Sequence, residues 1–311
     1  MIKILVTGGA GFIASCLAEK LAEDKNNFIT IVDNLITGCR EKIPSSPYNN
    51  IRFIKSDVNE MDDIAGVFYS GNFDYVFHYA ALVGVKRTLE NPVMVLNDIT
   101  GIKNILTLSK NTSVKRVYFS SSSEVYGEPV EFPQNELTTP LNSRLPYAIV
   151  KNVGEAFLKS YHQEYGLEYT IFRFFNTYGP KQSKDFVISK FISSALKNED
   201  ITIYGDGSQT RTFCYIDDNI EACINAFKKN LHVNDVVNIG GEIEISIKNL
   251  AEKIIALTGS SSKIVHLPAL KEGDMTRRQP DNTKMKKLLG RELLSLENGL
   301  KKVINNTQYI L

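Results

Sequence analysis

Residues 4–15 read "ILVTGGAGFIAS": an apolar run, then three glycines within four positions, then an amphipathic stretch that continues to "CLAEKLAED". A short apolar run broken by glycine and resumed with a 3.6-residue period predicts strand, tight turn and helix. Gly8 permits the turn, and Gly11 lets an anion approach the backbone at the helix N-terminus. Ala14 is the small residue that helix–strand packing needs. That pattern fits a pyrophosphate. Asp33 ends the next apolar run, in "TIVDN", about twenty residues on, where a carboxylate accepts hydrogen bonds from both ribose hydroxyls of NAD and repels the extra phosphate of NADP. "SDV" after the third run puts Asp57 and Val58 where an adenine would be held.

The alternation continues outward from this start. "IKILV", "FITIV", "IRFIK", "DYVFH", "KRVYF" and "YTIFRF" read as strands, with helical patterns such as "FIASCLAEKLAED" and "VMVLNDITGIKNILTLSK" between several of them. Strand–helix alternation predicts an α/β chain with a parallel sheet covered by helices on both faces. Past Asn176 the pattern loosens into a turn-rich segment, a helix in "DFVISKFISSALKN", a strand running into a glycine loop in "ITIYGDGSQTRTF", a helix in "IDDNIEACINAFKKN" and a strand in "DVVNIG". The last seventy residues read as mostly helical. A second, smaller region interleaved with the first is expected.

Composition narrows the function. The chain has 311 residues with a net charge of +1, 43% hydrophobic and 23% charged, so neither a nucleic-acid surface nor a polybasic membrane face is expected. Cys16, Cys39, Cys214 and Cys223 are scattered without metal-site spacing, which points to a reducing compartment. No stretch approaches the roughly 18 apolar residues that cross a bilayer. A cytoplasmic protein without a metal is the expectation.

"PYAIVK" places Tyr147 and Lys151 four residues apart, on one helix face. An ammonium beside a phenol stabilises the phenolate, and the tyrosine then serves as a base at neutral pH. About 25 residues earlier a strand ends in "FSSSSEVYG", four hydroxyls followed by a carboxylate.

Taken together, "TGGAGFIA", "VDN", "SDV", "HYAA", "SSSSEVYG", "YAIVK", "FRFFNTYGP" and "GDGSQTRTFCYIDD", in this order over nearly the whole chain, resemble the extended short-chain dehydrogenases/reductases that are NAD-dependent nucleotide-sugar epimerases and dehydratases. The resemblance implies a Rossmann doubly wound sheet over about 1–175 plus 214–240, and a smaller α/β substrate domain over about 176–213 plus 241–311. It also implies a homodimer, bound NAD, and a nucleoside-diphosphate sugar, in the first place a UDP-sugar, as substrate. By position it assigns the cofactor to Gly8, Gly11, Phe12, Ile13, Asp33, Asn34, Asp57, Val58, Ala80, Ala81, Ser120, Tyr147 and Lys151. Catalysis falls to Ser122, Tyr147, Lys151 and Glu124. The substrate falls to Arg87, Ser122, Ser123, Glu124, Asn176, Arg211 and Arg278.

In this family Ser122 would hydrogen-bond the sugar's 4-hydroxyl while Tyr147 removes its proton and carbon 4 gives hydride to NAD. Glu124 points to the reaction. The family's 4-epimerases usually have a small or hydroxylic residue there, whereas its 4,6-dehydratases and UDP-glucuronate decarboxylases have glutamate. Once carbon 4 is a ketone the carbon 5 proton is acidic, and a carboxylate can remove it to eliminate water from carbon 6. Alternatively, the ketone is the electron sink for loss of carbon dioxide. Ser123 resembles decarboxylases and GDP-mannose 4,6-dehydratases, since one group of dehydratases has aspartate there. "MTRRQPDN" resembles the decarboxylases' "RRxPD", where an arginine clamps a sugar carboxylate or a diphosphate. "HYAALVGVKRT" sides instead with epimerases and dehydratases, and its Lys86 and Arg87 are expected to face the sugar or solvent. Dehydration or decarboxylation is the first expectation and 4-epimerisation the alternative. A non-catalytic NAD sensor is the third, disfavoured by an intact Ser122, Tyr147 and Lys151.

Overall fold

The computed structural model describes residues 1–45, 47–269 and 277–310, with the side chains of Val85 and Lys86 also outside the description. In chain order the elements begin with β1 (Ile2–Thr7), α1 (Phe12–Ala22), β2 (Asn27–Asp33), β3 (Ile51–Lys55), α2 (Met61–Gly71) and β4 (Tyr75–His78). There follow α3 (Val85–Glu90), α4 (Pro92–Leu96), α5 (Asp98–Lys110), β5 (Arg116–Ser122), α6 (Pro146–Tyr165) and β6 (Glu168–Phe174). Next come β7 (Thr177–Tyr178), α7 (Val187–Leu196), β8 (Ile201–Tyr204), β9 (Thr210–Thr212), β10 (Cys214–Tyr215), α8 (Ile216–Lys228) and β11 (Asp235–Ile239). The chain ends with β12 (Glu244–Ser246), α9 (Ile247–Thr258), β13 (Ile264–Leu267), α10 (Thr283–Leu289) and α11 (Leu296–Ile304).

Seven strands form one sheet in the order β11-β6-β5-β4-β1-β2-β3. The chain builds outward from β1 to β3, then returns to β1 and builds the other way, which is the doubly wound arrangement that the family resemblance implies. The central pairs are parallel, with Thr7 beside both Val32 and His78, and His78 beside Phe119. Their carboxyl ends therefore lie together where the strand order reverses. The strands read as near-continuous apolar runs because helices cover both faces: Ile4, Leu5, Val6, Ile31, Val32, Val76, Phe77 and Val117 are all at most 1% exposed.

The chain separates into two compact units. The first comprises Met1–Val125, Ser143–Arg173 and Ile220–Val237, and the second Tyr126–Asn142, Phe174–Asn219 and Asn238–Leu311. Residues 126–142, expected with the first region on sequence, belong to the second. Among the described residues that unit holds three two-stranded pairings, β7 with β10, β8 with β13 and β9 with β12, packed among α7, α9 and α11. The last seventy residues thus carry two strands beside their helices. β12 and β13 are each no longer than four residues, and β13 is half exposed, so neither leaves an apolar run that periodicity detects. The helix expected over "VMVLNDITGIKNILTLSK" divides at Asn97 into α4 and α5, with the Asp98 carboxylate turned to accept the Leu82 backbone N–H at 2.7 Å. Among the described residues no helix is long and apolar enough to cross a membrane.

Candidate active site

The turn after β1 is built as its glycines require. Gly8 has φ +72°, and a Cβ there would stand 2.7 Å from the Cα and N of Ala80, so a side chain is excluded both by conformation and by space. Gly11 is the residue preceding α1, and Phe12 and Ile13 begin that helix half-buried. Its first N–H groups have no side-chain cap and remain available to an anion. Asp33 ends β2 with only 8% exposure, its two oxygens receiving the N–H of Ala10 at 3.0 Å and of Leu35 at 2.8 Å. Burial raises its carboxyl pKa and those two N–H groups oppose the rise. Asn34 donates to Asp57 at 2.9 Å, and Val58 is buried behind it. A cradle that admits no Cβ, beside a carboxylate at the second strand's end, fits a dinucleotide.

At the reversal point Thr7 joins the two central strands. Its hydroxyl receives the N–H groups of Tyr79 and Ala80 at 3.2 Å each, which leaves its own hydrogen for His78 Nδ1 at 2.8 Å. His78 is therefore a neutral acceptor at that nitrogen, in keeping with a pKa lowered to about 3 by burial and, secondarily, by the Lys151 charge. Its part is structural. Ala80 and Ala81 follow it in the loop over Gly8.

Tyr147 and Lys151 lie on the first turns of α6, which Pro146 opens. Lys151 is 2% exposed; its Nζ is 3.4 Å from Ser120 Oγ, 4.9 Å from the Phe119 ring centre and 5.7 Å from the Tyr147 ring centre. Burial pushes the ammonium down to about 8, while the Asp98 carboxylate acts in the opposite sense. Ser120 in turn donates to the His78 carbonyl at 3.4 Å. Alternation along β5 puts Ser122 on the face of Ser120. Ser122 Oγ accepts the Glu124 N–H at 3.2 Å and so opens the 3-10 turn Ser123–Tyr126, on which Glu124 is half-exposed while Ser123 is buried.

Behind this group lies an ion pair that local patterns did not expose. Glu155, one turn beyond Lys151, accepts the Ser121 hydroxyl at 2.6 Å and two Arg173 N–H groups at 2.9 and 2.7 Å, with both charged side chains at most 2% exposed. It fastens β5, α6 and β6 to one another. The 155 position on the buried face of α6 was its signal: a charge there needs a partner. Asp98 left a fainter one, as an acid in the first turn of a helix.

In the second unit, Phe175 donates its N–H to Ile239 O at 2.9 Å, and Gly240 has no room for a Cβ, which would meet Phe175 at 2.6 Å and Pro280 at 2.9 Å. Asn176 (φ +32°) directly follows Phe175, and Arg278 stands two positions before Pro280, the two residues packed on that glycine. Asn176 Nδ2 donates to Thr212 O at 3.0 Å, beside Arg211, which is 9% exposed and donates to Thr210 O at 2.7 Å. The two adjacent arginines part company. Arg277 pairs with Glu244 and lies 4.1 Å over the Phe132 ring, half-exposed, whereas Arg278 is 7% exposed. In the first unit Arg87, on α3, donates to Val83 O at 2.9 Å; the Lys86 side chain lies outside the described residues.

Residues 4–240 match the family described as the NAD dependent epimerase/dehydratase family. The chain belongs to it. It is an NAD-dependent enzyme of that family, and its cofactor is NAD. The chain is 39% identical over 320 positions to the UDP-N-acetyl-alpha-D-glucosaminuronate decarboxylase of Bacillus cytotoxicus, covering 97% of this chain and 96% of that one. It is 36% identical over 327 positions to UDP-glucuronic acid decarboxylase 1 of Danio rerio, covering 99% and 75%. Among solved structures it is similar to the UDP-glucose 4-epimerase of Thermotoga maritima with UDP-glucose, with a TM-score of 0.91, 34% identity and 98% of each chain covered.

Proposed function

We propose that the chain decarboxylates a UDP-linked hexuronic acid through a 4-ketone, with the first unit holding NAD and the second holding the nucleotide sugar. The observation that carries the oxidation step is the buried Lys151 ammonium, 5.7 Å from the Tyr147 ring centre and within reach of Ser120 at the sheet's carboxyl ends. Bound NAD would supply the acceptor, and later the source, of the carbon 4 hydride. The residues proposed to hold it are Gly8, Gly11, Phe12, Ile13, Asp33, Asn34, Asp57, Val58, Ala80, Ala81, Ser120, Tyr147 and Lys151. Ser122 hydrogen-bonds the 4-hydroxyl, and Tyr147 Oη takes its proton while the Lys151 ammonium stabilises the phenolate charge. The carbon 5–carbon 6 bond then breaks, its electron pair passes to the carbon 4 carbonyl, and carbon dioxide leaves. Carbon 5 gains a proton, a role we assign to Glu124, whose backbone N–H donates to Ser122 at the end of β5. Tyr147 finally returns its proton to the oxygen on carbon 4. Asn176 and Arg211 hold the diphosphate, Arg278 holds the sugar carboxylate, and Arg87 and Ser123 contact the sugar.

Glu124 favours this lyase reading over 4-epimerisation, in which the ketone only turns over and needs no carboxylate. The likeness to the Thermotoga enzyme favours the epimerase as second reading. NMR of products from UDP-glucuronate and UDP-glucose decides between them. Loss of carbon 6 as carbon dioxide, with a UDP-pentose formed, is the expected result; a product inverted at carbon 4 with all six carbons retained replaces it with the epimerase. We further propose a cytoplasmic homodimer, for which light scattering at twice the 34.9 kDa chain mass is the check.

A further inference from the structure

Gln134, in the second unit, is fully buried, yet neither its amide nitrogen nor its amide oxygen has a hydrogen-bond partner among the described residues. Its backbone is satisfied. The N–H donates to Gln279 O at 2.7 Å, and the carbonyl accepts the Asp281 N–H at 2.8 Å and Asn238 Nδ2 at 2.9 Å. These bonds make a parallel bridge between Gln134 and Pro280, which puts the two side chains on one face. Burial alternates along the partner segment: Arg277, Gln279 and Asp281 are partly exposed, while Arg278, Pro280 and Asn282 are buried. Arg278 therefore shares the buried face to which Gln134 belongs. Asn238 fixes this arrangement further, accepting the Tyr126 hydroxyl at 2.8 Å and donating its own N–H to Glu136 at 2.9 Å.

An amide buried without partners is costly, and leucine would fill the same space without the cost. A guanidinium that is to present one edge to a carboxylate needs an acceptor on another edge. A neutral carbonyl supplies that acceptor without cancelling the charge, as a carboxylate would.

We propose that Gln134 is a positioning residue that orients Arg278, so that the site favours a sugar carboxylate over a hydroxymethyl group. In the substrate complex Gln134 Oε1 receives one Arg278 N–H, and Gln134 Nε2 donates to the carboxylate. This rests on the reading of Arg278 given above. The test is calorimetric affinity of the NAD-loaded protein for UDP-glucuronate, UDP-glucose and UDP, with melting temperatures, in a Tyr147→Phe background that prevents turnover, alone and combined with Gln134→Leu, Gln134→Glu and Arg278→Met. Gln134→Leu is expected to melt about 2 °C or more higher and to bind UDP-glucuronate about tenfold more weakly, with UDP-glucose and UDP unchanged. Gln134→Glu should lose more of the preference, because its charge neutralises Arg278. If Arg278→Met abolishes the preference and Gln134→Leu retains it, the Gln134 proposal fails alone. If Arg278→Met itself keeps the preference, the carboxylate role of Arg278 fails and takes the proposal with it. A lower melting temperature with equal loss for all three ligands also overturns it, since the amide then only supports the fold.

Discussion

The two compact units hold their candidate residues by different means. In the first, Thr7, His78, Ser120 and Ser122 stand at the carboxyl ends of adjacent parallel strands, and Lys151 rises beside them on a helix packed against β5. The sheet itself determines their spacing. In the second, Asn176, Arg211 and Arg278 belong to short strands and irregular segments: Asn176 and Arg211 donate to Thr212 O and Thr210 O, and Arg278 precedes the Gln279 whose carbonyl Gln134 binds. Chemistry common to a family suits the rigid placement. Loop-borne cations can change with the substrate while the sheet stays as it is.

If that contrast is sound, changes in the first unit act on turnover and changes in the second on affinity. Tyr147→Phe should lower kcat by about a thousandfold or more while the protein keeps its NAD, read by turnover and by the nucleotide released on denaturation. Retained turnover would break the comparison at its strongest point. Arg173→Met leaves the Glu155 carboxylate buried without its counter-ion, and about 3 kcal/mol of stability should be lost, measured by urea unfolding. A loss well under 1 kcal/mol would mean that the Ser121–Glu155–Arg173 fastening does not organise the sheet end.

Arg278→Met should weaken binding of a carboxylated UDP-sugar by about 2 kcal/mol with kcat at saturation little changed. A fall in kcat alone would erase the distinction between the units. The smallest expected effect concerns pH. Lys151 is an ammonium below about 8 and loses its proton above it, so activity should fall through an alkaline limb near pH 8. His78, on which the Lys151 charge itself acts, stays neutral down to about 3, while the Asp98 carboxylate raises the lysine's pKa. Asp98→Asn removes that support and should move the limb to lower pH by less than one unit. A limb that stays in place would show that Asp98 serves only the Leu82 turn.

Much of the first unit was legible because its signals are local. Gly8, Asp33, Tyr147 and Lys151 lie in strand-end turns or at four-residue helix spacing, and a few neighbouring residues suffice to recognise each. The split at Asn97 was not legible, since the bond that attends it joins Asp98 to Leu82, outside the helical window. Nor was Glu155 as the partner of both Ser121 and Arg173.

The chain's periodicities determined by themselves the strand–helix alternation, a parallel sheet covered on both faces and the pairing of Tyr147 with Lys151, because spacing of two or four residues already specifies which side chains share a face. Tertiary structure alone decided that Arg278 and not Arg277 is buried, that Gln134 lies against Pro280 across 146 positions, and that residues 126–142 join the second unit. Contacts closed by long loops follow from how the whole chain packs, and packing leaves no repeat in the sequence to read.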